Sequence, residues 1–348
     1  MESDPPYVYS DDYDEICHKE TVAKVGSIAV PLFFSIVVLF SLVGNILVLV
    51  ILGLYETLRS LTNIFILNLA LSDLMFTLGL PFWSSYYIWG WTFGDAVCKG
   101  VNFVFSAGYY SSIVFLMLMT IQRYAAVVYP LSKWEGGQRF AVVSIVAWMV
   151  SFLAAIPAVL YSEVMSDPED PNKLYCEYNS IKTTVAVTYE QNVIFVSAFL
   201  VMGFCYLRIL QTVLKSQTRK RHRTIRLIFC IVVVFFIGWA PYNIVIFLQT
   251  FTYHQIDPFM EWYVTDNLEY ADYACRLLAF SHCCLNPVFY VFVGVKFQNH
   301  LKMIVQKLFH GQSNMDLQRP RKAAQSSQGS MYGYGDNHCQ TLCTNISV

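Results

Sequence analysis

Charge is scarce in this chain of 348 residues: 14% are Asp, Glu, Lys or Arg, where a soluble domain of this size carries about a quarter. With 56% hydrophobic and 16% aromatic residues, that scarcity excludes a soluble or disordered protein and places the chain in a membrane. Basic residues are missing from Met1 to Cys17 and no apolar run precedes Val25. The expectation is therefore no cleavable signal peptide, with the first span acting as its own anchor. A nucleophile elbow, a phosphate loop and a zinc-binding helix motif are all absent, which argues against an enzyme. The lack of an internal repeat, or of paired Gly/Pro-broken spans, argues against an inverted-repeat transporter.

What is present is a series of long stretches without any charge. Val25 to Tyr55, Val101 to Gln122, Phe140 to Ser162, Gln191 to Leu207, Leu227 up to Asp257 and Leu277 to Val295 qualify, and Leu61 to Tyr87 is interrupted by Asp73 alone. Each approaches the ~20 helical residues that cross a hydrocarbon core of about 30 Å. The expected fold is an all-α membrane protein, a seven-helix bundle followed by a short amphipathic eighth helix. The boundaries read as an acidic outer tail over 1–24, the bundle over 25–295, the amphipathic helix over 296–309 and a disordered cytoplasmic tail over 310–348. In that eighth helix Phe297, Leu301, Ile304, Val305 and Leu308 recur at helical spacing between lysines, the pattern of a helix lying on the inner leaflet.

Orientation follows from the bases. Lys215, Arg219, Lys220, Arg221, Arg223 and Arg226 crowd the loop after span five, and Lys296, Lys302 and Lys307 follow span seven. Those sides face the cytoplasm, leaving the N-terminus outside at the plasma membrane. The net charge of -1 is then a cancellation: 19 of 24 acids fall outside and 17 of 23 bases inside. Outer loops are expected at Trp89 to Lys99, Glu163 to Thr188 and Thr252 to Tyr273.

Polar groups within spans are expensive and mark function. Asp73 is the foremost, either as a site for a sodium ion or proton with Ser112 and Asn286, or as a hydrogen-bonding link between helices. His282 stands beside Cys283 and Cys284, but three successive helical residues point in different directions and cannot chelate one metal ion together. Pro81, Pro157, Pro241 and Pro287 each remove a helical hydrogen bond. Trp239-Ala240-Pro241 and Asn286-Pro287 read as hinges, Pro157 as a plain kink. Arg123, at the inner end of span three, serves equally as a partner contact or as a snorkelling anchor.

These residues, in order, resemble the rhodopsin-like G-protein-coupled receptors. The matching positions are Gly44-Asn45, Leu69 to Asp73, Arg123-Tyr124, Trp148, Tyr206, Phe235 with Trp239 to Tyr242, and Asn286-Pro287 with Tyr290. Phe105 and Phe280 stand where an amine receptor would carry Asp and an opsin its Schiff-base Lys. Within the family the chain resembles chemokine receptors through Pro81-Phe82-Trp83, Trp89-Gly90-Trp91 ahead of Cys98, and Ser281 to Pro287. Arg221 to Thr224, Phe247 to Thr250 and Val291 to Phe297 resemble the XC branch.

The resemblance implies a small basic chemokine as ligand. Tyr7, Tyr9 and Tyr13, set among Asp11, Asp12, Asp14 and Glu15, would be sulfated and capture it electrostatically. The ligand's N-terminus would enter a pocket among Trp83, Phe105, Tyr109, Tyr242, Glu269 and Arg276. Repacking of Phe235, Trp239 and Pro241, and of Asn286, Pro287 and Tyr290, would open the inner face at Gln122, Arg123, Tyr124 and Tyr206. An inhibitory-class heterotrimeric G protein would bind there, with receptor kinases and arrestin acting on Ser326, Ser327, Ser330, Thr341, Thr344 and Ser347. A disulfide between Cys98 and Cys176 is implied likewise. No cofactor is expected beyond the sodium ion at Asp73.

Departures from the family pattern stand out. Thr252 to Ala274 contains no cysteine to pair with Cys17, which is left free, paired between chains, or bonded to Cys275. Gln122 replaces the Asp before the Arg-Tyr pair, a change shared by receptors that scavenge chemokines without signalling, and this is the alternative function. Arg276 replaces a Glu, with Glu269 as the substitute acidic anchor. Gly79 replaces the Thr of a Thr-x-Pro bend.

Overall fold

The computed structural model describes residues 11–56, 60–129, 137–166, 173–215, 222–293 and 295–309. Its elements are α1 (Asp11–Tyr55), α2 (Leu61–Trp89), α3 (Asp95–Val128), α4 (Gly137–Tyr161), β1 (Ser162–Ser166), β2 (Leu174–Tyr178), α5 (Ile181–Lys215), α6 (His222–Tyr253), α7 (Trp262–Phe280), α8 (His282–Val293) and α9 (Val295–Phe309). Residues up to Val305 form one unit.

Among the described residues six helices are long and apolar enough to cross a membrane: Ile28–Tyr55, Leu61–Trp89, Asp95–Val128, Ala141–Tyr161, Ile181–Leu214 and Ile228–Tyr253. The seventh crossing is α7 followed by α8, and here two expectations need correction. The segment expected as an outer loop up to Tyr273 is helical from Trp262, and the run Leu277 to Val295 is broken at Ser281. Hydropathy misplaced the start because the outer half of α7 carries Asp266, Glu269, Asp272 and Arg276, which are tolerated where a helix faces a polar cavity rather than lipid. Likewise α1 begins at Asp11, inside the segment read as tail, since no Pro or Gly interrupts the chain from Asp11 to Val25.

The break at Ser281 has a local cause. Four successive side chains reach back three residues to the helix's own carbonyls: Ser281 Oγ to Leu278 at 2.7 Å, His282 Nδ1 to Ala279 at 2.8 Å, Cys283 Sγ to Phe280 at 3.3 Å and Cys284 Sγ to Ser281 at 3.0 Å. Side-chain donors that compete for ladder carbonyls loosen a helix, and Pro287 removes a further rung.

The core is a continuous apolar cluster in which α3 is central, with Ile113, Phe115, Leu116 and Met119 fully buried. Side chains turned away from it, such as Leu32, Leu39, Phe40, Leu153, Leu200 and Ile237, are exposed, which is the arrangement expected where lipid is the outer solvent. Close helix approach in such a bundle depends on small residues. Gly108 of α3 is the clearest case, because a Cβ there would lie 2.8 Å from the Phe76 backbone nitrogen of α2.

At the outer end, β1 and β2 form an antiparallel hairpin that pairs Val164 with Cys176. The expected disulfide between Cys98 and Cys176 is present, with Cα atoms 5.7 Å apart. It ties β2 to the first turn of α3. Asn102 Nδ2 donates to Ser162 Oγ at 3.0 Å, and Trp91, buried against the bridge, donates its backbone N–H to Leu174 O of the hairpin at 2.8 Å.

Gly108→Ala should lower the thermal stability of the purified protein by about 1–3 kcal/mol, the usual range for overpacking. The rigid neighbour is backbone, so relaxation cannot absorb the added methyl. Thermal unfolding in detergent would measure it, with Gly100→Ala as the control, since nothing lies within 4 Å of a Cβ there.

Candidate functional site

Beneath the hairpin lies a cavity of about 440 Å³ walled by α2, α3, α5, α6, α7 and β2. Five residues expected in a ligand pocket stand on its wall: Trp83, Phe105, Tyr242, Glu269 and Arg276. The sixth, Tyr109, does not. It lies buried one layer below, its ring against Trp239 with centroids 4.2 Å apart and its hydroxyl 3.5 Å from Asn243 Nδ2. In this position Tyr109 packs α3 against α6.

Sequence reasoning missed Asp272 as a pocket residue and counted it with the outer-loop acids. Once α7 is known to begin at Trp262, Asp272 and Arg276 are one helical turn apart, a spacing at which opposite charges meet. Arg276 Nη2 donates to Asp272 Oδ2, and the guanidinium lies 5.7 Å from the Trp83 ring and 5.9 Å from the Tyr242 ring. Glu177 of β2 was not singled out for the pocket either, yet the hairpin delivers it to the same wall. Among the lining residues three acids, Glu177, Glu269 and Asp272, oppose the single base Arg276. A cavity so charged attracts cationic ligand groups. Gly79, the departure from the Thr-x-Pro bend, is explained by this wall: a Cβ there would lie 2.8 Å from Phe105 Cδ2, so the absent side chain makes room for that ring.

Below the cavity an aromatic layer descends from Trp83 through Phe105 to Phe76, the last two with centroids 3.9 Å apart. Phe76 meets Trp239 at 6.0 Å and His282 at 4.7 Å, while Trp239 also touches His282 at 5.2 Å and Phe235 at 6.0 Å. His282 is a hydrogen-bonded core histidine, as read from the sequence, with Nε2 3.9 Å from Asp73 Oδ1. Asn286 Nδ2 donates to Asp73 Oδ2 at 2.7 Å. Oδ1 is fully buried without a hydrogen bond of ordinary geometry, and Ser112 adjoins the same carboxylate. Two buried oxygens, one formally charged, are the hard donors that a small cation such as sodium accepts.

Pro287 has no N–H for the carbonyl of Cys283, four residues earlier. That carbonyl receives Asn45 Nδ2 at 2.9 Å and Ser41 Oγ at 3.2 Å from α1. Ser41 also pairs with Thr77 at 2.6 Å, and Thr77 bonds the Asp73 carbonyl at 2.6 Å. The motif residues of spans one, two and seven thus form one network around a proline defect. Gly44 adjoins it, facing the Pro287 ring.

At the inner end the Arg-Tyr pair lies at the end of α3. Arg123 Nη2 donates to Thr62 Oγ1 of α2, and Thr62 Oγ1 donates to Gln122 Oε1 at 3.3 Å. Thr62, unremarked in the sequence, therefore bridges the two residues that an Asp-Arg pair would have joined directly. Tyr124 packs on Phe204 of α5, Tyr206 lies edge-on to Phe229 of α6 at 5.1 Å, and Tyr290 meets Phe297 of α9 at 6.0 Å. Cys275 is a free thiol.

Tyr7 and Tyr9 lie outside the described residues, as do Arg219, Lys220, Arg221 and the tail from 310 with its serines and threonines. Asp11, Asp12, Tyr13, Asp14, Glu15 and Cys17 lie on α1, with side chains outside the described set.

Comparison with known proteins adds family relationships to this geometry. The pattern of the 7 transmembrane receptor (rhodopsin family) matches residues 44–290. Chemokine XC receptor 1 of Homo sapiens is 43% identical over 305 residues, covering 87% of this chain and 89% of that one. The Mus musculus protein of the same name is 44% identical over 306 residues, with 87% and 90% covered. C-C chemokine receptor type 8 of Homo sapiens is 32% identical over 327 residues, with 92% and 91% covered.

Removing the amide that serves the Cys283 carbonyl tests the proline network. Asn45→Ala should destabilise the protein by about 1–3 kcal/mol, the penalty of leaving a buried acceptor short of a donor. Asn45→Ser, retaining a donor of shorter reach, should recover part of that loss in the same thermal measurement.

Proposed function

This chain belongs to the rhodopsin family of seven-transmembrane receptors, and within it to the chemokine receptors, multi-pass membrane proteins; from that premise we propose a specific ligand and signalling route. A basic chemokine of the XC type binds the outer face, and the receptor activates an inhibitory-class heterotrimeric G protein inside, driving chemotaxis and calcium signalling. The observation that carries this reading is the acid-rich outer cavity, floored by aromatic rings that lead to Trp239 and the Asp73 network. The charge asymmetry of the chain supports an N-terminus outside and a C-terminus inside.

In this reading the outer acids and Tyr7, Tyr9 and Tyr13 capture the chemokine, whose N-terminal segment then enters the cavity. Binding shifts the population toward an open arrangement only by as much as the ligand prefers it. The moving parts are Phe235, Trp239 and Pro241 on α6 and Asn286, Pro287 and Tyr290 on α8. Their repacking presents Arg123, Tyr124 and Tyr206 to the G protein, and receptor kinases and arrestin then act on the C-terminal tail. A sodium ion would be held by Asp73 and Ser112 beside Asn286, where its charge would offset the buried carboxylate and favour the resting arrangement.

Cells carrying the chain, exposed to a chemokine panel, should release an inhibitory G protein in response to a basic chemokine of the XC type. Binding should weaken as salt rises and after Tyr→Phe replacement at positions 7, 9 and 13. Uptake without G-protein dissociation would instead establish the scavenger alternative, and no binding at all would overturn the ligand assignment.

The Thr62 bridge yields a separate expectation. Thr62→Val should raise basal G-protein activity, and Gln122→Asp, which restores an anion beside Arg123, should lower it. One hydrogen bond of about 1 kcal/mol shifts a two-state equilibrium roughly fivefold. Ligand-free nucleotide exchange would measure both.

A further inference from the structure

Where the end of α1 meets α9, a histidine stands against a carboxylate. Glu56 follows directly on α1 and is held from two directions. Asn63 Nδ2 of α2 donates to its Oε2 at 3.4 Å, and His300 Nε2 of α9 lies 3.4 Å from its Oε1. The imidazole is stacked on the Tyr55 ring, with centroids 5.2 Å apart and planes 26° from parallel. The His300 and Glu56 side chains are 21% and 18% exposed, so water and salt screen the pair only in part. The end of α1, the start of α2 and α9 thus converge on one carboxylate.

Imidazole is the side chain that ordinarily changes charge between about pH 5 and 8. The neutral ring offers Glu56 one polar N–H, whereas the protonated ring offers a full positive charge. The Tyr55 face also prefers the cation, because an aromatic ring attracts positive charge above its plane. One feature opposes protonation: Nδ1 is buried without a hydrogen-bond partner among the described residues, and the cation places an N–H there. A carboxylate charge 3.4 Å away in a shielded site outweighs one unpaired N–H. No other described charge offsets it. Asn63, which comes from α2, is neutral, and Lys302, two positions further along α9, lies on another side of the helix and is exposed. Protonation therefore draws His300 onto Glu56.

We infer that Glu56 and His300 form a pH-sensitive latch: the protonated ring fastens α9 to the ends of α1 and α2, and the neutral ring loosens it. The fastened state takes up the proton, so its population rises as pH falls and declines as pH rises through the imidazole range. One turn before His300, Phe297 packs on Tyr290, so the latch also sets how firmly Tyr290 is backed. It needs only that this end of the bundle meets water, which the proposed orientation makes the cytoplasm.

The test uses the full chain in nanodiscs of phosphatidylcholine, a lipid whose charge is constant over the range and whose discs leave both faces open to buffer. Amide hydrogen exchange across residues 297–305 is followed by mass spectrometry at about pH 6 and about pH 8, each rate divided by the intrinsic rate at that pH. Protection should be about threefold higher at the lower pH, the size of effect a partly exposed ion pair supplies. Glu56→Gln removes the anion and His300→Gln removes the titrating ring while keeping a polar side chain; each should make protection equal at the two pH values. A contact that merely packs α9 would give equal protection in the wild-type chain, and that result overturns the latch without need of a variant. A pH dependence that survives in either variant overturns it as well.

Discussion

A backbone carbonyl with no partner cannot be left in hydrocarbon, where no water is available to compensate it, and Pro287 creates one at Cys283. The bundle meets this requirement by recruiting Asn45 and Ser41 from α1. That recruitment draws in Thr77 and the Asp73 backbone, and Asp73 in turn fixes Asn286 beside the proline. Three helices are thereby held at one height by hydrogen bonds that exist because of a defect. Polar residues in α1 and α2 that would be expensive alone find partners in it, with Asn45 Oδ1 and Asp73 Oδ1 the atoms left over among the described residues. The arrangement is stable but not stiff, since a side-chain donor can release a carbonyl at far less expense than a helical ladder can break.

Directly above this network sits His282, whose ring touches Phe76, Phe235 and Trp239. The polar layer and the aromatic layer therefore share a residue. A rotation of Trp239, itself packed on Tyr109 and adjoining the kink at Pro241, cannot occur without moving His282 or Phe76. Phe76 continues through Phe105 to the cavity wall. These contacts form one continuous packed path from the cavity wall to the Asp73 layer.

Much of this was legible in the sequence, and the parts that were not share a cause. Six spans could be read because their charge-free runs face lipid or core, and the Asp73 and Asn286 partnership followed from the expense of burying a carboxylate. The seventh was misplaced because hydropathy treats Asp266, Glu269, Asp272 and Arg276 as marks of a loop, while the fold turns that half of α7 toward a polar cavity. The same misplacement hid the pairing of Asp272 with Arg276. Tyr109 was placed on the pocket wall by the family resemblance, and nothing in the sequence marks how deep it lies along α3. Thr62 carries no signal at all: a threonine in an apolar helix ordinarily bonds its own backbone, and only the approach of α2 to α3 gives it Arg123 and Gln122 as neighbours.

Two of the departures from the family pattern, Gln122 and Arg276, alter the same property at opposite ends of the bundle. Inside, Gln122 removes a charge, and Arg123 is restrained by a neutral hydroxyl from another helix. Outside, Arg276 adds a charge, and its counterion comes from one turn earlier on the same helix. An ion pair within one helix does not bind that helix to its neighbours, so α7 is joined to α2 and α6 at this level through the guanidinium's contacts with Trp83 and Tyr242. Such contacts contribute about 0.5–2 kcal/mol each, less than a buried interhelical ion pair loses when broken. Among the described residues neither Arg123 nor Arg276 forms an ion pair with another helix, so at both levels the bundle relies on the Asp73 layer and the aromatic packing above it. At the cavity wall the helices are then held by modest contacts, whereas deeper in the bundle they share the hydrogen bonds of the Asp73 network.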